Sequence, residues 1–373
     1  MRKQGRFERK KVKKPLGGKK IALIVGCLIL LVVLAAVIFG LVYYNSIIDK
    51  MTIVEVPKIE TTEATEIVET TLEATEGETT EATTVVTTEP HVASSEDYIN
   101  ILVVGQAARD GEAERFADTM ILVTLNTYEK TVTLTSMLRD TLVQQSGSYD
   151  NGRHTWGGIK LTTVYHLGYM WDETPGAMAV INQTLYNNFG IEVDYNFEVD
   201  FDAFVKVVDA LGGVELELTE AEANYLNDDD LWVYYDMQPG WQRLDGMTAL
   251  SYARMRKAEG DNESDINRTS RQRKLIQALV EKLKTWSPGS LQDLAYDVLP
   301  LITTSMSKSE ITEILLKVVP MLWEMEFQTG GTCPAEYWGE IVDIYEDGYP
   351  DSVLKFDVAA TKKHMRAITE GEE

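Results

Sequence analysis

The stretch "TMILVTLNTYEKTVTLTSML", residues 119–138, contains two runs of apolar and β-branched residues separated by "TYEK". Each run predicts a β-strand, and the short polar link predicts that the two strands are antiparallel neighbours. An earlier run, "INILVVG" at residues 99–105, predicts a strand that pairs antiparallel with the first of these two. One edge of the sheet would then collect the end of the first strand in the chain, the start of the second and the end of the third. The charged residues expected at this edge are Arg109, Asp118, Arg139 and Asp140.

The rest of the chain alternates helical and strand patterns. The stretch "PGAMAVINQTLYNNFG" predicts a helix between Pro175 and Gly190, and "DFDAFVKVVDALGG" predicts a helix capped by Asp200 and followed by Gly212. Further strands are predicted at "IEVDYNFEV", "VELEL" and "VLKFDV". Further helices are predicted from Arg268 to about Leu283, at "EITEILLKVVPMLWEM" with a kink at Pro320, and at "AATKKHMRAIT". This order predicts an α/β fold, an α+β sandwich in which helices flank one central mixed β-sheet.

The first 96 residues differ in composition from the rest of the chain. Residues 1–20 carry ten Lys/Arg against one Glu, and residues 21–42 carry no charge. As a helix, residues 21–42 would measure roughly 33 Å, enough to cross the hydrocarbon core of a bilayer. The positive-inside rule then predicts a cytoplasmic arm (1–20), a transmembrane signal anchor (21–42) and an extracellular remainder. Residues 43–96, rich in Thr and Glu, predict a disordered linker before a folded domain at 97–373.

Charge and the counts of cysteine and histidine argue against several classes of protein. The formal net charge of −24, with the basic residues concentrated at the N-terminus, argues against a nucleic-acid partner. The two cysteines, Cys27 and Cys333, cannot form an intrachain disulfide framework because one lies inside the apolar run. The four histidines lack metal-ligand spacing, and no serine has the spacing of a nucleophile elbow.

Five arginines of this acidic chain fall within "SYARMRKAEGDNESDINRTSRQRKL", residues 251–275: Arg254, Arg256, Arg268, Arg271 and Arg273. Guanidinium groups suit the paired oxygens of carboxylates and phosphates. Arg268, Arg271 and Gln272 share one face of the first turn of a predicted helix, where backbone amides favour an anion. Arg254 and Arg256 share a face only if the chain is extended there. This arrangement suits a diphosphate, and the alternative is that the arginines only form ion pairs with nearby acidic residues.

Seven motifs occur in order over about residues 98–285: "NILVVGQAAR", "ADTMILVTLN", "SMLRDT", "KLTTVYHLGY", "VDALGGVEL", "LDGMTALSYARMR" and "DINRTSRQRKLI". In these motifs the chain resembles the LytR–CpsA–Psr family of cell-envelope phosphotransferases. The resemblance implies an enzyme of a Gram-positive type cell membrane. Such an enzyme takes a teichoic-acid-like or capsule-like glycopolymer from a polyprenyl diphosphate carrier and joins it to peptidoglycan through a phosphodiester bond.

The resemblance also implies roles for individual residues. It implies catalytic roles for Asp118, Arg139, Arg254 and Arg256, and a Mg²⁺ ion at Asp118. It implies diphosphate binding by Arg109, Arg139, Arg254, Arg256, Arg268, Arg271 and Gln272. Two positions depart from the family pattern: Ala107 replaces a usual aspartate, which removes one metal ligand, and Phe116 replaces a common arginine, with Arg115 beside it. Two alternatives stay open, a non-catalytic envelope sensor or scaffold that binds lipid-linked diphosphate, and a polyprenyl diphosphate hydrolase.

Overall fold

A computed structural model describes residues 48–57, 95–106, 115–146, 155–227, 236–255, 265–286, 294, 297–321, 323–334, 338–346 and 349–371. The chain divides into two units, Met1–Lys50 and Met51–Glu373, and the elements given below belong to the second. The predicted basic arm and signal anchor lie outside the described residues. Within the described ranges, no helix combines the length and the apolar character needed to cross a bilayer.

The central sheet is mixed, as the sequence predicts. Its strands are β1 (Thr52–Ile53), β2 (Tyr98–Gln106), β3 (Ala117–Asn126), β4 (Thr131–Met137), β7 (Tyr195–Val199), β10 (Thr303–Thr304) and β11 (Glu326–Cys333). They lie in the order β1-β10-β7-β2-β3-β4-β11. The pairs β2–β3 and β3–β4 are antiparallel, which confirms the central prediction, whereas β7 and β11 pair parallel with β2 and β4.

Two features of the sheet depart from the prediction. Thr52–Ile53 lies inside the range predicted as a disordered linker, yet it pairs parallel with Thr303–Thr304 at the sheet margin. The linker prediction is therefore wrong for these residues, because an exposed strand edge offers backbone partners to any extended segment that reaches it. The strand β11 pairs with β4, and the register of this pair shifts by one residue between Thr329 and Gly331. The sequence contains no local signal for this long-range pairing.

Among the residues that the structure describes, three antiparallel strand pairs lie outside the central sheet. They are β5 (Leu142–Ser146) with β6 (Thr155–Lys160), β8 (Val214–Leu218) with β9 (Gly240–Leu244), and β12 (Trp338–Glu346) with β13 (Tyr349–Phe356). The predicted strand at "VELEL" is β8, and its residues alternate between buried and exposed, as expected of a strand with one face on a core.

The helices are α1 (Leu161–Phe189), α2 (Phe201–Ala210), α3 (Glu220–Leu226), α4 (Gly246–Arg254), α5 (Asp265–Lys284), α6 (Lys308–Val318) and α7 (Val358–Thr369). The predicted cap is confirmed at α2, where the Asp200 side chain accepts a hydrogen bond from the Ala203 amide. Non-helical backbone at Asp172 and Glu173 interrupts α1, so the helix predicted from Pro175 is its second half. The predicted kink at Pro320 is instead an end, because α6 stops at Val318 and a 3₁₀ turn follows.

Two apolar clusters hold these elements together. The first lies where α1 and α7 pack on the central sheet and includes Leu102, Met120, Tyr165, Val180, Phe189 and Met365. The second joins α2, the β8–β9 strand pair, α4 and α5 and includes Val208, Leu216, Leu244, Tyr252 and Leu275. The helix α5 also contacts β4 and β11. Its first turn is thereby held beside the edge of the sheet where β2 and β4 end.

Candidate anion site at one edge of the sheet

The edge predicted from the sequence exists. Gly105 near the end of β2 pairs with Thr119 near the start of β3, and Ser136 near the end of β4 pairs with Ile121. A register shift after Gly105 leaves Asp118 between two paired residues, at a local bulge. A bulge re-aims the side chain that it carries. Asp118 therefore lies at the same edge as the residues that follow β4.

Arg139 and Asp118 form the centre of this edge. Arg139 donates a hydrogen bond from Nη1 to Asp118 Oδ1 over 2.6 Å. The Arg139 Nε atom lies 3.5 Å from Asp140 Oδ2, so this guanidinium is flanked by two carboxylates. The side chains of Arg139 and Asp118 keep 17% and 30% of their area exposed. The pair is thus shielded, yet it stays accessible to a ligand from one side.

Two side chains from the first two turns of α5 also reach the start of β3, beside the Arg139–Asp118 pair. Arg268 donates from Nη2 to the Asp118 backbone oxygen over 3.1 Å. Gln272 donates from Nε2 to Thr119 Oγ1 over 2.8 Å and to the Ala253 carbonyl over 3.3 Å. Both α5 side chains are buried. They bind the start of β3 to the first two turns of α5 and to the last turn of α4, which brings together residues 150 positions apart in the chain.

Arg271 hydrogen-bonds different partners from those of Arg268 and Gln272. Its Nε donates to Glu222 Oε1 over 3.0 Å, and its Nη1 donates to the Met255 carbonyl over 3.3 Å. Both side chains of the Arg271–Glu222 pair are less than a tenth exposed. Burial opposes ionisation of Glu222, but hydrogen bonds from the Thr219 amide and from Arg271 outweigh it, so the pKa of Glu222 lies below its ordinary value. The geometry gives Arg271 a role in holding α3, α4 and α5 together.

Arg254 is the last residue of α4, and its side chain is exposed. Its guanidinium carbon lies 4.7 Å from the centroid of the Phe201 ring, a cation–π contact at the start of α2. The next residue, Met255, has extended backbone (φ −58, ψ 123), so the helix ends before it could place Arg256 on the opposite side. Arg256, Arg109 and Ala107 lie outside the described residues.

Three cationic side chains near the edge were not predicted to belong to the site. Lys160, at the end of β6, has Nζ 3.3 Å from Asp140 Oδ1. Arg273 donates from Nη1 to Ser136 Oγ over 2.6 Å, and burial lowers its pKa. Arg115 donates from Nη1 to Gln106 Oε1 over 3.0 Å. For Arg273, the run of charged residues around it indicated a possible anion site. Helical periodicity, however, does not show which element each side chain will contact.

Glu222 also escaped the sequence analysis, although a local signal for it existed. Thr219 and Glu222 form a capping box at the start of α3, in which each side chain accepts a hydrogen bond from the other's backbone amide. A capping box predicts a helix start, and the sequence "TEAE" at residues 219–222 is the start of α3. The second use of the same carboxylate, as the buried partner of Arg271, depends on tertiary packing.

The residues at this edge supply only some of the ligands that a magnesium ion needs. The ion is usually held by one or two carboxylates, by water and by substrate phosphate oxygens. Asp118 supplies one carboxylate, whose Oδ1 already accepts from Arg139. Among the residues that the structure describes, no group of three or more His, Cys, Asp or Glu side chains could hold a metal ion. An ion held here would depend on Asp118 and on the oxygens of a bound diphosphate.

The family model described as the LytR_cpsA_psr family matches residues 58–326, which is more than half of the chain. The chain belongs to this family. It is 31% identical over 192 residues to the polyisoprenyl-teichoic acid–peptidoglycan teichoic acid transferase TagU of Bacillus licheniformis, a match that covers 50% of this chain and 53% of the relative. It is 31% identical over 196 residues to biofilm regulatory protein A of Streptococcus mutans, covering 52% and 46% of the two chains. The chain thus spans about half the length of the relatives that it matches.

Solved structures of similar proteins share the fold of this LytR_cpsA_psr member. The crystal structure of protein gbs0355 from Streptococcus agalactiae has a TM-score of 0.57 at 24% identity and covers 75% of this chain and 90% of that chain. Bacillus subtilis TagV has a TM-score of 0.54 at 22% identity, covering 73% and 96%. At these identities the comparison supports the architecture alone, and it agrees with the mixed sheet described above.

The departure from the family pattern at Phe116 has a structural consequence. The Phe116 ring stacks on His166 of α1, with the centroids 4.8 Å apart and the planes 28° apart. The neighbouring Arg115 has its guanidinium carbon 5.6 Å from the Tyr169 ring centroid, and its backbone amide donates to His166 Nδ1 over 3.3 Å. In this chain, therefore, an aromatic stack includes the position at which the resemblance leads us to expect an arginine.

Proposed function

We propose that this chain is a phosphotransferase that joins a teichoic-acid-like or capsule-like glycopolymer, delivered on a polyprenyl diphosphate, to peptidoglycan through a phosphodiester bond. The observation that carries the proposal is the convergence of Arg139, Arg268 and Gln272 at one sheet edge from two distant segments. Membership of the family and its similarity to teichoic acid transferases support the same substrate class.

The charges at the edge suit a diphosphate. Arg139 and Arg268 place guanidinium groups around the start of β3, and Arg254 presents an exposed guanidinium at the end of α4, the helix whose Ala253 carbonyl accepts from Gln272. Such groups bind phosphate oxygens in bidentate fashion. In water-shielded surroundings they stabilise the charge that develops on non-bridging and leaving oxygens. We propose that Arg109 and Arg256, which lie outside the described ranges, also bind the diphosphate.

In the proposed reaction, a hydroxyl of the peptidoglycan sugar attacks the phosphorus nearer the glycopolymer. The new P–O bond forms as the bond to the bridging oxygen breaks, and polyprenyl phosphate leaves with that oxygen. The hydroxyl proton passes to a carboxylate at the edge, Asp118 or Asp140. When bound at Asp118, Mg²⁺ would supply further positive charge to the phosphate oxygens. Arg139 contacts both carboxylates, so a phosphate that binds this guanidinium also lies beside the candidate bases.

The proposed location follows from the sequence. Residues 1–20 and 21–42 have the composition of a cytoplasmic arm and a signal anchor, so we propose a single-pass membrane protein with its catalytic domain on the extracellular face. The lipid carrier lies in the same membrane. The acidic body of the protein makes nucleic acid an unsuitable partner.

The test uses the full-length chain purified in detergent, a short-chain polyprenyl diphosphate glycopolymer and peptidoglycan, with and without Mg²⁺. A transferase forms the phosphodiester only when peptidoglycan is present, a hydrolase releases the glycopolymer without it, and a sensor binds without turnover. We expect Arg139→Ala and Arg268→Ala to lower transfer by about 10²–10³-fold. Arg243→Ala, which removes an exposed arginine on β9, is the matched control and should retain the rate of the unmodified chain. Equal rates for all three variants would refute the site.

A further inference from the structure

A groove of about 570 Å³ lies between the β8–β9 strand pair and α5. The strand pair contributes Glu215, Leu216, Glu217 and Trp241, and α5 contributes Gln277 and Glu281 among others. The proposed transfer reaction uses none of these residues. Glu215 and Glu217 lie on the exposed face of β8, whereas Leu216 is buried on the other face, so the groove lies along the exposed face of the strand and beside α5.

Trp241 is the most informative residue of this groove. Its side chain is 70% exposed, although it is the largest apolar side chain of the strand pair. Its backbone pairs with Glu217 of β8, so the ladder fixes the Cα of Trp241 beside the groove. An indole exposed at the rim of a concave surface is typical of a binding site, because it offers a large flat apolar face together with a hydrogen-bonding N–H.

The two lysines of the groove are already engaged with backbone. Lys274 donates from Nζ to the Glu217 carbonyl over 2.6 Å, and Lys282 donates from Nζ to the Gly213 carbonyl over 2.5 Å. These contacts occupy acceptors beside β8 that an added peptide strand would need. They also hold both ammonium groups at backbone oxygens, so that a polyanionic ligand would meet the carboxylates of Glu215, Glu217 and Glu281.

A neutral polar polymer fits these surroundings better than a peptide strand or a polyphosphate. The C–H faces of a sugar ring stack on an indole, and its hydroxyl and acetamide groups can bond to Gln277 and to the carboxylates. Gln277 and Glu281 are four residues apart, so they lie on one face of α5. The lining from Lys274 to Lys282 extends for about 12 Å along the helix, which suits a chain of several sugar rings.

We propose that this groove binds the β-linked amino-sugar backbone of peptidoglycan and presents it as the acceptor. This proposal rests on the proposed transferase function. Lys274, the α5 residue of the groove nearest the start of that helix, follows Gln272 by two positions, so the groove and the anion site are built on the same helix but on different sides of it. A glycan bound in the groove would be anchored on the helix that holds Arg268 near its other end, which raises the local concentration of the acceptor.

The experiment measures binding of chitohexaose, a soluble β-1,4-linked N-acetylglucosamine hexamer, to the full-length chain in detergent by titration calorimetry. We expect Trp241→Ala to weaken binding at least tenfold. The matched control is Trp323→Ala, which removes an indole that is 45% exposed and does not line the groove, and its affinity should equal that of the unmodified chain. Circular dichroism checks that both variants are folded. In the transfer assay, Trp241→Ala should raise KM for peptidoglycan with kcat unchanged.

Three results would overturn the proposal: no binding of chitohexaose by the unmodified chain, equal affinity for the unmodified chain and Trp241→Ala, or tighter Trp241-dependent binding of a teichoic acid polyanion than of chitohexaose. Arg254→Ala separates this proposal from the proposed function, because it should retain chitohexaose binding and lose transfer. Trp241-dependent glycan binding in a chain that catalyses no transfer would support the groove and refute the transferase. Transfer that is unchanged by Trp241→Ala at limiting peptidoglycan would support the transferase and refute the groove.

Discussion

Replacing Glu222 by alanine should destabilise the protein by about 3–5 kcal/mol, because it leaves a buried guanidinium without its carboxylate. The magnitude follows from the burial of the pair, whose side chains are 8% and 9% exposed, and from the 3.0 Å contact between Arg271 Nε and Glu222 Oε1. The Tyr252 hydroxyl, whose pKa is raised by burial and by the nearby Glu222, stays protonated and donates to the same carboxylate oxygen over 3.2 Å. A loss of this size is a large part of the ~5–15 kcal/mol that stabilises an ordinary domain.

The assay is urea denaturation followed by tryptophan fluorescence and by far-ultraviolet circular dichroism. A double variant, Glu222→Leu with Arg271→Met, tests the cause, since replacing both partners by apolar groups of similar volume should recover most of the loss. The control is Glu324→Ala, because Glu324 forms an exposed pair with Lys130, and this variant should unfold at the same urea concentration as the unmodified chain. A destabilisation below 1 kcal/mol for Glu222→Ala, or a double variant no more stable than the single one, would refute the reasoning.

The same carboxylate gives a pH dependence with a defined sign. Because the pKa of Glu222 is lower in the folded protein than in the unfolded chain, its contribution is complete above the unfolded value of about 4.5 and is lost as the pH falls through the folded value. Glu222→Gln should therefore show a shallower loss of stability in acid than the unmodified chain. Equal acid slopes would contradict this assignment.

Three further changes test other parts of the structure. Burial raises the pKa of Glu198, which hydrogen-bonds Tyr165, so stability should fall as the pH rises above 4.5 towards the folded value, and Glu198→Gln should remove this loss in urea titrations. Asp118→Asn should lower transfer by about 10²-fold with an unchanged melting temperature, and a variant with full activity would exclude this carboxylate from the mechanism. Gly246→Ala should cost about 1–3 kcal/mol in thermal denaturation, because the new Cβ would lie 2.3 Å from the Val205 carbonyl oxygen, and an unchanged midpoint would contradict that packing.

Much of the fold and part of the site could be predicted from local sequence. The strands β2, β3 and β4 follow from apolar runs and a short link, and their antiparallel pairing, which the sequence predicts, brings Asp118 and Arg139 to one edge. The predicted helix cap was equally local: Asp200 accepts from the Ala203 amide, three residues away. These features depend on interactions within a few residues, so composition and spacing are enough to indicate them.

The roles of the arginines were only partly predictable. Helical spacing put Arg268 and Arg271 on one face of α5, and both are buried, yet they contact different partners. Arg268 meets the backbone of β3, whereas Arg271 meets Glu222 of α3, which is 49 positions away in the chain. Periodicity defines a face relative to the axis of its own helix. It contains no information about which element packs against each side of that face.

The amino-acid sequence by itself determined the elements, their caps, the mixed α/β class and the family to which the chain belongs. Only the tertiary structure decided that β11 joins β4, that Thr52–Ile53 extends the sheet, and that Trp241 and α5 enclose a groove. The physical reason is the range of the forces involved. Hydrogen bonds within a turn or a helix cap are fixed by neighbours in the chain, whereas burial of an ion pair or closure of a groove requires several elements to pack together at once.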